Sequence, residues 1–410
     1  MSSLENPRNF DVIDTTLRDG LQSPEIPEHG KYSLSIPERL EIFTALVQYG
    51  VRFVEVFSPT VNSTEKESLT KIINRRNELS PTFGYTNILG HVRCDEKDIA
   101  AAIEAGVDGL NLYMGTSKES QQFNHGKNLG TVALRSRKLI EDIRRNYPHL
   151  QLRFSGEDAF RTPLEDLFEV YDGVAESVDR FGTPDTVGTA VPSEVQKRVS
   201  LLRQRYPDVD LEGHFHNDRG YATINAVTAA LAGMKYIDTS VLGLAERSGI
   251  TSQTALLFNL FLEKPELLQG FSLEDSYTLN VLVASILLMQ VPYTEPISLT
   301  NNTHSAGVHT GAMLRNSSVY QAHPLEKFGI TETRLLLGPL SGWHVVNYYL
   351  VHILNYEGVT PEIAKEISGN FKDACSVSHF KENPTDILRR IADRFGLEHR
   401  DKPKTHLEKI

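Results

Sequence analysis

Eight short β-rich runs recur through the first two thirds of the chain, and stretches of helical periodicity fall between them, an alternation that leaves few folds open. The runs lie at 11–17, 52–57, 82–88, 109–113, 151–154, around Thr183, at 211–216 and at 236–242. Amphipathic stretches occupy 37–49, 96–105, 131–146, 164–178, 192–206 and 220–232. Strands joined through helices pair in parallel through right-handed crossovers, and eight such units close into a (β/α)8 TIM barrel. Pro184 makes the sixth strand the least regular, because proline cannot donate to a ladder. The expected fold is therefore α/β, a TIM barrel over 1–270 followed by smaller, mainly helical C-terminal subdomains. These are a linker and subdomain at 271–359 and a helical, highly charged piece at 360–410 that ends in a solvated run at 401–410. A barrel of ~250 residues and this appendage use up the 410 residues.

A barrel gathers catalytic groups at the carboxyl ends of its strands, and the polar residues obey that rule. Arg18 and Asp19 end the first run, Glu157 and Asp158 the fifth, Thr186 the sixth, His214 and His216 the seventh, Glu246 the eighth. His214 and His216, two apart on a strand, point the same way and can grip one metal ion; the alternative is a pair of core histidines bonded to neighbours. Asp19 adds a carboxylate if the barrel closes, because the first and last strands then face one pocket. Two imidazoles, one carboxylate and open positions suit Zn, Mn, Co or Mg, the last least because of the nitrogen ligands.

Other groups admit two readings each. Arg18 beside Asp19 is either a surface ion pair of little value or a cation that shares the charge of an oxygen turning anionic. Arg153, Ser155 and Glu157 share one strand face; Arg153 with Ser155 then holds a substrate carboxylate, or Arg153 pairs internally with Glu157. His309, in Thr303-His304-Ser305-Ala306-Gly307-Val308-His309, and Tyr320 offer acid–base groups from outside the barrel, where lone loop residues are more often surface hydrogen bonders. His125-Gly126-Lys127 reads as a solvated loop or, with the lysine ordered, as a contact for a phosphate.

The bulk properties exclude several classes. A net charge of −11 with no basic stripe argues against nucleic acid. Cys94 and Cys375 are too few for a disulfide framework or a thiolate metal site, which points to a reducing compartment. Residues 1–9 show no secretory pattern, and the longest apolar stretch, 281–291, falls short of the ~20 residues that span a bilayer. A cytoplasmic enzyme without a membrane partner is expected.

From 11 to 343 the chain resembles the metal-dependent acyl-CoA Claisen family that includes 2-isopropylmalate, citramalate and homocitrate synthases and 3-hydroxy-3-methylglutaryl-CoA lyase. The resemblance rests on Asp14-Thr15-Thr16-Leu17-Arg18-Asp19-Gly20 and Gly213-His214-Phe215-His216-Asn217-Asp218. Arg153-Phe154-Ser155, His125-Gly126-Lys127, Gly249-Ile250-Thr251 and Gly342-Trp343 tilt it toward the homocitrate synthases. It implies Asp19, His214 and His216 as ligands of a divalent metal, and Thr186 on the C1 carboxylate of a 2-oxo acid. It further implies His91, Arg153 and Ser155 on the distal carboxylate of 2-oxoglutarate, and Arg18, Glu157, His309 and Tyr320 as the catalytic groups. The implied reaction condenses acetyl-CoA with 2-oxoglutarate to give homocitrate and CoA, in an intertwined homodimer whose partner subunit supplies the His309 segment. Asp19 stands where homocitrate synthases usually carry glutamate, and Ala245 replaces a usual glycine. Oxaloacetate is the competing acceptor, followed by the monocarboxylic acids of the isopropylmalate and citramalate enzymes. A lyase is disfavoured because the loop 243–249 lacks the cysteine that chemistry uses, and a non-catalytic barrel because the expected site residues are all present.

Overall fold

A computed structural model describes residues 8–377 and 382–399. Its strands are β1 (Asp11–Asp14), β2 (Phe53–Phe57), β3 (Asn87–Arg93), β4 (Gly109–Gly115), β5 (Gln151–Glu157), β6 (Arg180–Asp185), β7 (Asp210–Phe215) and β8 (Tyr236–Thr239). Each pairs in parallel with the next, and β8 returns to β1 through a register running from Asp11↔Tyr236 to Asp14↔Thr239. The sheet thus closes on itself with helices between its strands, the TIM barrel that the alternation implies.

One strand departs from the sequence expectation. A third strand was expected at 82–88, but Thr82 and Phe83 end the helix Ser63–Phe83, and β3 begins only at Asn87. The helix buries Ser68, Leu69, Ile72 and Arg76, a stripe too polar to register as an apolar period. The shift carries His91 into β3, where it faces the barrel interior.

Local chemistry sets the ends of the first long helix, Ile36–Tyr49. Ser35 and Glu38 form a capping box, the Ser35 N–H donating to Glu38 Oε2 at 2.7 Å. Gly50 terminates it at φ 95°, and a Cβ there would fall 2.1 Å from the Gly270 carbonyl oxygen, so only glycine fits. Outward-facing strand residues such as Val54, Leu110, Leu152, Phe181 and Leu211 are fully buried under the helices.

Contacts divide the chain into two compact units, 1–296 and 297–410. Residues 271–296 belong with the barrel: in the helix Ser276–Ile286, Ser276 Oγ lies 2.6 Å from Tyr49 Oη, and Leu279 and Val283 join the main core. The second unit holds a two-stranded parallel sheet, β9 (Thr303–His304) with β10 (Arg334–Leu335). The helices Trp343–Tyr348, Pro361–Val377 and Pro384–Arg394 follow, with Val346, Leu350, Ile367, Phe371 and Leu388 as their core. The run 401–410 lies outside the described residues. Among the described residues no helix is long and apolar enough to cross a membrane.

Candidate active site

Inside the barrel, period-2 alternation stacks side chains in layers. Ile13, Phe53, Leu89 and Tyr236 make an apolar floor. Arg180 lies over it, its guanidinium carbon 4.9 Å from the Tyr236 ring centroid. Above the floor the interior turns ionic: Glu55, Arg153, Glu212 and Asp238 are almost wholly buried. Arg153 Nε lies 2.6 Å from Glu212 Oε1, and its Nη2 lies 3.2 Å from Glu55 Oε2 and 3.7 Å from Asp238 Oδ2. Glu212 reaches Arg180 Nε at 3.0 Å with its other oxygen. Asn111 donates to Glu55. Burial pushes the Glu212 and Asp238 carboxyls above the ordinary range, with Arg153 opposing. Burial is also the largest influence on Glu55, but Arg18, His91 and Arg153 outweigh it and hold that carboxyl well below the ordinary range. The internal pair considered for Arg153 therefore exists, but with three carboxylates on other strands and not with Glu157.

The next layer faces the mouth. A cavity of about 240 Å³ is lined by Arg18, Asp19, His91, Arg153, Ser155, Glu157, Thr186, His214, His216 and Glu246, so of the barrel residues singled out in the sequence only Asp158 lies outside its lining. Arg18 is buried, not a surface partner: its Nε donates to Glu55 Oε1 at 2.6 Å and its Nη1 lies 3.2 Å from Asp19 Oδ2. His91 stacks on Tyr113 with centroids 4.4 Å apart and sets Nδ1 3.4 Å from Glu55. Arg153 Nη1 donates to Ser155 Oγ at 2.6 Å. A Cβ at Gly182 would fall 1.9 Å from Ser155 Oγ and 2.9 Å from Arg153 Cδ, so β6 must be bare there for Arg153 to lie flat.

Asp19, His214 and His216 form the candidate metal centre, their ligand atoms lying within 4.8 Å of one another. The two Nε2 atoms are 3.1 Å apart, and His214 Nε2 is 3.4 Å from Asp19 Oδ2. The donor set fits a divalent transition ion. Burial pushes His214 down to about 4, partly opposed by Asp19, so at neutral pH its imidazole has a lone pair to offer. His216 is pushed down to about 3 by burial and by His214. Burial is the largest influence on Asp19 and raises it, but Arg18 and the two imidazoles outweigh it, and the carboxyl stays below its ordinary range.

Around the rim, Glu157 is raised by burial and then by Asp158. Asp158 adopts φ 65°, an unusual backbone for a residue other than glycine, and is gripped by Arg161 Nε at 2.9 Å from both oxygens. Its N–H donates to Thr186 Oγ1 at 3.0 Å, leaving the threonine proton for a ligand. Arg247 ties three loops, donating to Asp218 at 2.8 and 3.0 Å and to the Thr186 carbonyl at 2.8 Å. In the second unit, His309 stacks on Tyr320 at 3.9 Å, and the His304 ring lies 6.3 Å from each.

Glu55, Asn111, Arg180, Glu212 and Asp238 were not singled out in the sequence. A signal existed: Glu212 precedes His214 by two, Asn111 precedes Tyr113 by two and Glu55 interrupts Phe53-Val54-Glu55-Val56-Phe57, all on inward positions.

Residues 9–283 match the family model described as HMGL-like. The chain belongs to the HMGL-like family. A second model, homocitrate synthase post-HMGL domain-like, matches 298–378. Among HMGL-like relatives, the mitochondrial homocitrate synthase of Saccharomyces cerevisiae is 33% identical over 90% of this chain and 80% of its own length. The cytosolic isozyme of that yeast is 33% identical over 94% and 86%. Of solved HMGL-like barrels, hydroxymethylglutaryl-CoA lyase from Pseudomonas aeruginosa superposes with a TM-score of 0.55 at 18% identity, covering 70% of this chain and 95% of that one, a likeness of fold.

Proposed function

We propose that the chain is an acyltransferase that condenses acetyl-CoA with 2-oxoglutarate to give homocitrate and CoA. The observation that carries this is one cavity holding both a two-histidine, one-aspartate centre and a buried arginine–serine pair. The similarity to homocitrate synthases over nine tenths of the chain supports the same acceptor.

Asp19, His214 and His216 would hold a divalent ion, Mg, Mn, Zn or Co, which when bound polarises the acceptor ketone. Thr186 offers its hydroxyl proton to the C1 carboxylate. Arg153 Nη1 and Ser155, with His91 beside them, take the distal carboxylate, and an apolar tail would leave the Ser155 hydroxyl without an acceptor beside a buried cation. Glu157 takes the proton from the acetyl methyl; its raised carboxyl is a stronger base than an ordinary one. Arg18 stabilises the negative charge that grows on the ketone oxygen as carbon is attacked. His309 and Tyr320, stacked on each other, hold and return protons while water cleaves the thioester. We assign them to the partner subunit's site in an intertwined homodimer.

Oxaloacetate, one carbon shorter, is disfavoured by the likeness to homocitrate synthases, and a lyase would need a mouth cysteine. Cys94 is buried with its thiol pushed up to about 12, which makes it inert. Free thiols fit a reducing compartment, on which ground we assign the chain to the cytoplasm, its two yeast relatives being one cytosolic and one mitochondrial. The test is release of free thiol from acetyl-CoA with 2-oxoglutarate, oxaloacetate, 2-oxoisovalerate and pyruvate. Release with 2-oxoglutarate that stops on chelation and returns with a divalent ion is expected; no release with any acceptor, or release undiminished by chelation, defeats the proposal.

A further inference from the structure

Asp238 lies on the inner face of β8 at 1% exposure and has no place in the reaction as written above. Its Oδ2 is 3.0 Å from His214 Nδ1, on the side of the ring away from Asp19 and His216. The same oxygen lies 3.7 Å from Arg153 Nη2, and the buried Glu212 carboxyl adjoins the group. A neutral imidazole carries one proton, and the nitrogen without it is the one that can bind an ion. A carboxylate at Nδ1 keeps the proton there and presents the Nε2 lone pair to Asp19 and His216. Arg153 holds Asp238 in turn, because its guanidinium is itself clamped by Glu212 and Glu55.

From this geometry we propose that Asp238 is a positioning residue that fixes the tautomer and ring orientation of His214 for metal binding, a role resting on the metal reading above. Glu212 provides the internal comparison. It is equally buried, and it touches Arg153, Arg180 and the Asp238 carboxyl, but the described contacts give it none to either imidazole. If Asp238 acted only as one more negative charge near a cation, removing the Glu212 charge would weaken the ion comparably. If it acts through the Nδ1 hydrogen bond, Asp238 alone matters.

The experiment measures metal affinity of the full chain by competition with a chromophoric chelator, using Zn and Co, for wild type, Asp238→Asn, Asp238→Ala and Glu212→Gln. Asp238→Asn and Asp238→Ala are expected to lose about 10- to 100-fold in affinity, and Glu212→Gln to stay within about threefold. The Co absorption bands of Asp238→Asn should also shift, as the ring turns, where those of Glu212→Gln do not. Equal loss in Asp238→Asn and Glu212→Gln, or retention of affinity in Asp238→Asn, overturns the positioning role while leaving the centre itself in place. Wild-type protein that binds neither ion defeats the metal reading instead. Should the Asp238 variants not fold, ¹⁵N shifts of metal-free wild type decide: His214 protonated on Nδ1 supports the assignment, and protonation on Nε2 overturns it.

Discussion

Arg153→Leu tests whether the arginine is a structural ion as well as a substrate ligand. In the folded barrel its guanidinium faces Glu212 at 2.6 Å, Glu55 at 3.2 Å and Asp238 at 3.7 Å, all buried. Leucine fills part of the space but leaves those carboxylates without their shared cation. Removing one partner from a buried ion network costs about 3–5 kcal/mol. At about 2–4 °C per kcal/mol for a large domain, the melting temperature should fall by roughly 6–20 °C. Differential scanning calorimetry of metal-free protein measures this without reference to catalysis, and Arg153→Lys, which keeps the charge but not the planar fork, should fall less. On the kinetic side, Arg153→Leu should lose turnover of 2-oxoglutarate in the thiol-release assay. A melting temperature within about 2 °C of wild type would refute the charge accounting, and full turnover of 2-oxoglutarate would refute the assignment of the tail.

Glu157→Gln should lower kcat by about 10²- to 10⁴-fold with little change in KM for 2-oxoglutarate; an unchanged kcat would remove Glu157 from the chemistry. A base must be ionised, so activity should fall as pH drops through the raised Glu157 pKa, and Asp158→Asn, which removes a raising charge, should move that acid limb to lower pH. An acid limb that stays in place shows that another group sets it. Mixing separately inactive Glu157→Gln and His309→Ala proteins after dissociation should restore activity if the partner subunit completes each site; continued inactivity with mixed dimers formed would argue for a site within one chain.

Much of the barrel was legible because strand alternation and mouth chemistry are local properties. Two adjacent inward positions, His214 and His216, and the Arg18–Asp19 pair carry their meaning within a few residues. The third strand shows the limit: a helix whose buried stripe includes Ser68 and Arg76 has little apolar period, so in sequence its last turn reads as part of the strand. The partners of Arg153 were illegible for a different reason. Glu55, Glu212 and Asp238 come from β2, β7 and β8, and closure of the sheet alone brings them to a guanidinium on β5. The sequence face shared with Glu157 suggested a neighbour along the strand, whereas the actual contacts run across the barrel.

Such cross-barrel charge matching bears on how acceptor choice can drift. A single step toward an apolar acceptor at Arg153 takes a shared cation from acids on three distant segments, leaving Glu55 to Arg18, Glu212 to Arg180 and Asp238 with no arginine or lysine pairing among the described residues, so the intermediate is penalised in folding before any new activity arises. Changes made in concert, an arginine lost with one or more acids made neutral, avoid that penalty. Redesign of this pocket should therefore begin from paired substitutions, and libraries that vary one interior position at a time should return mostly unstable chains.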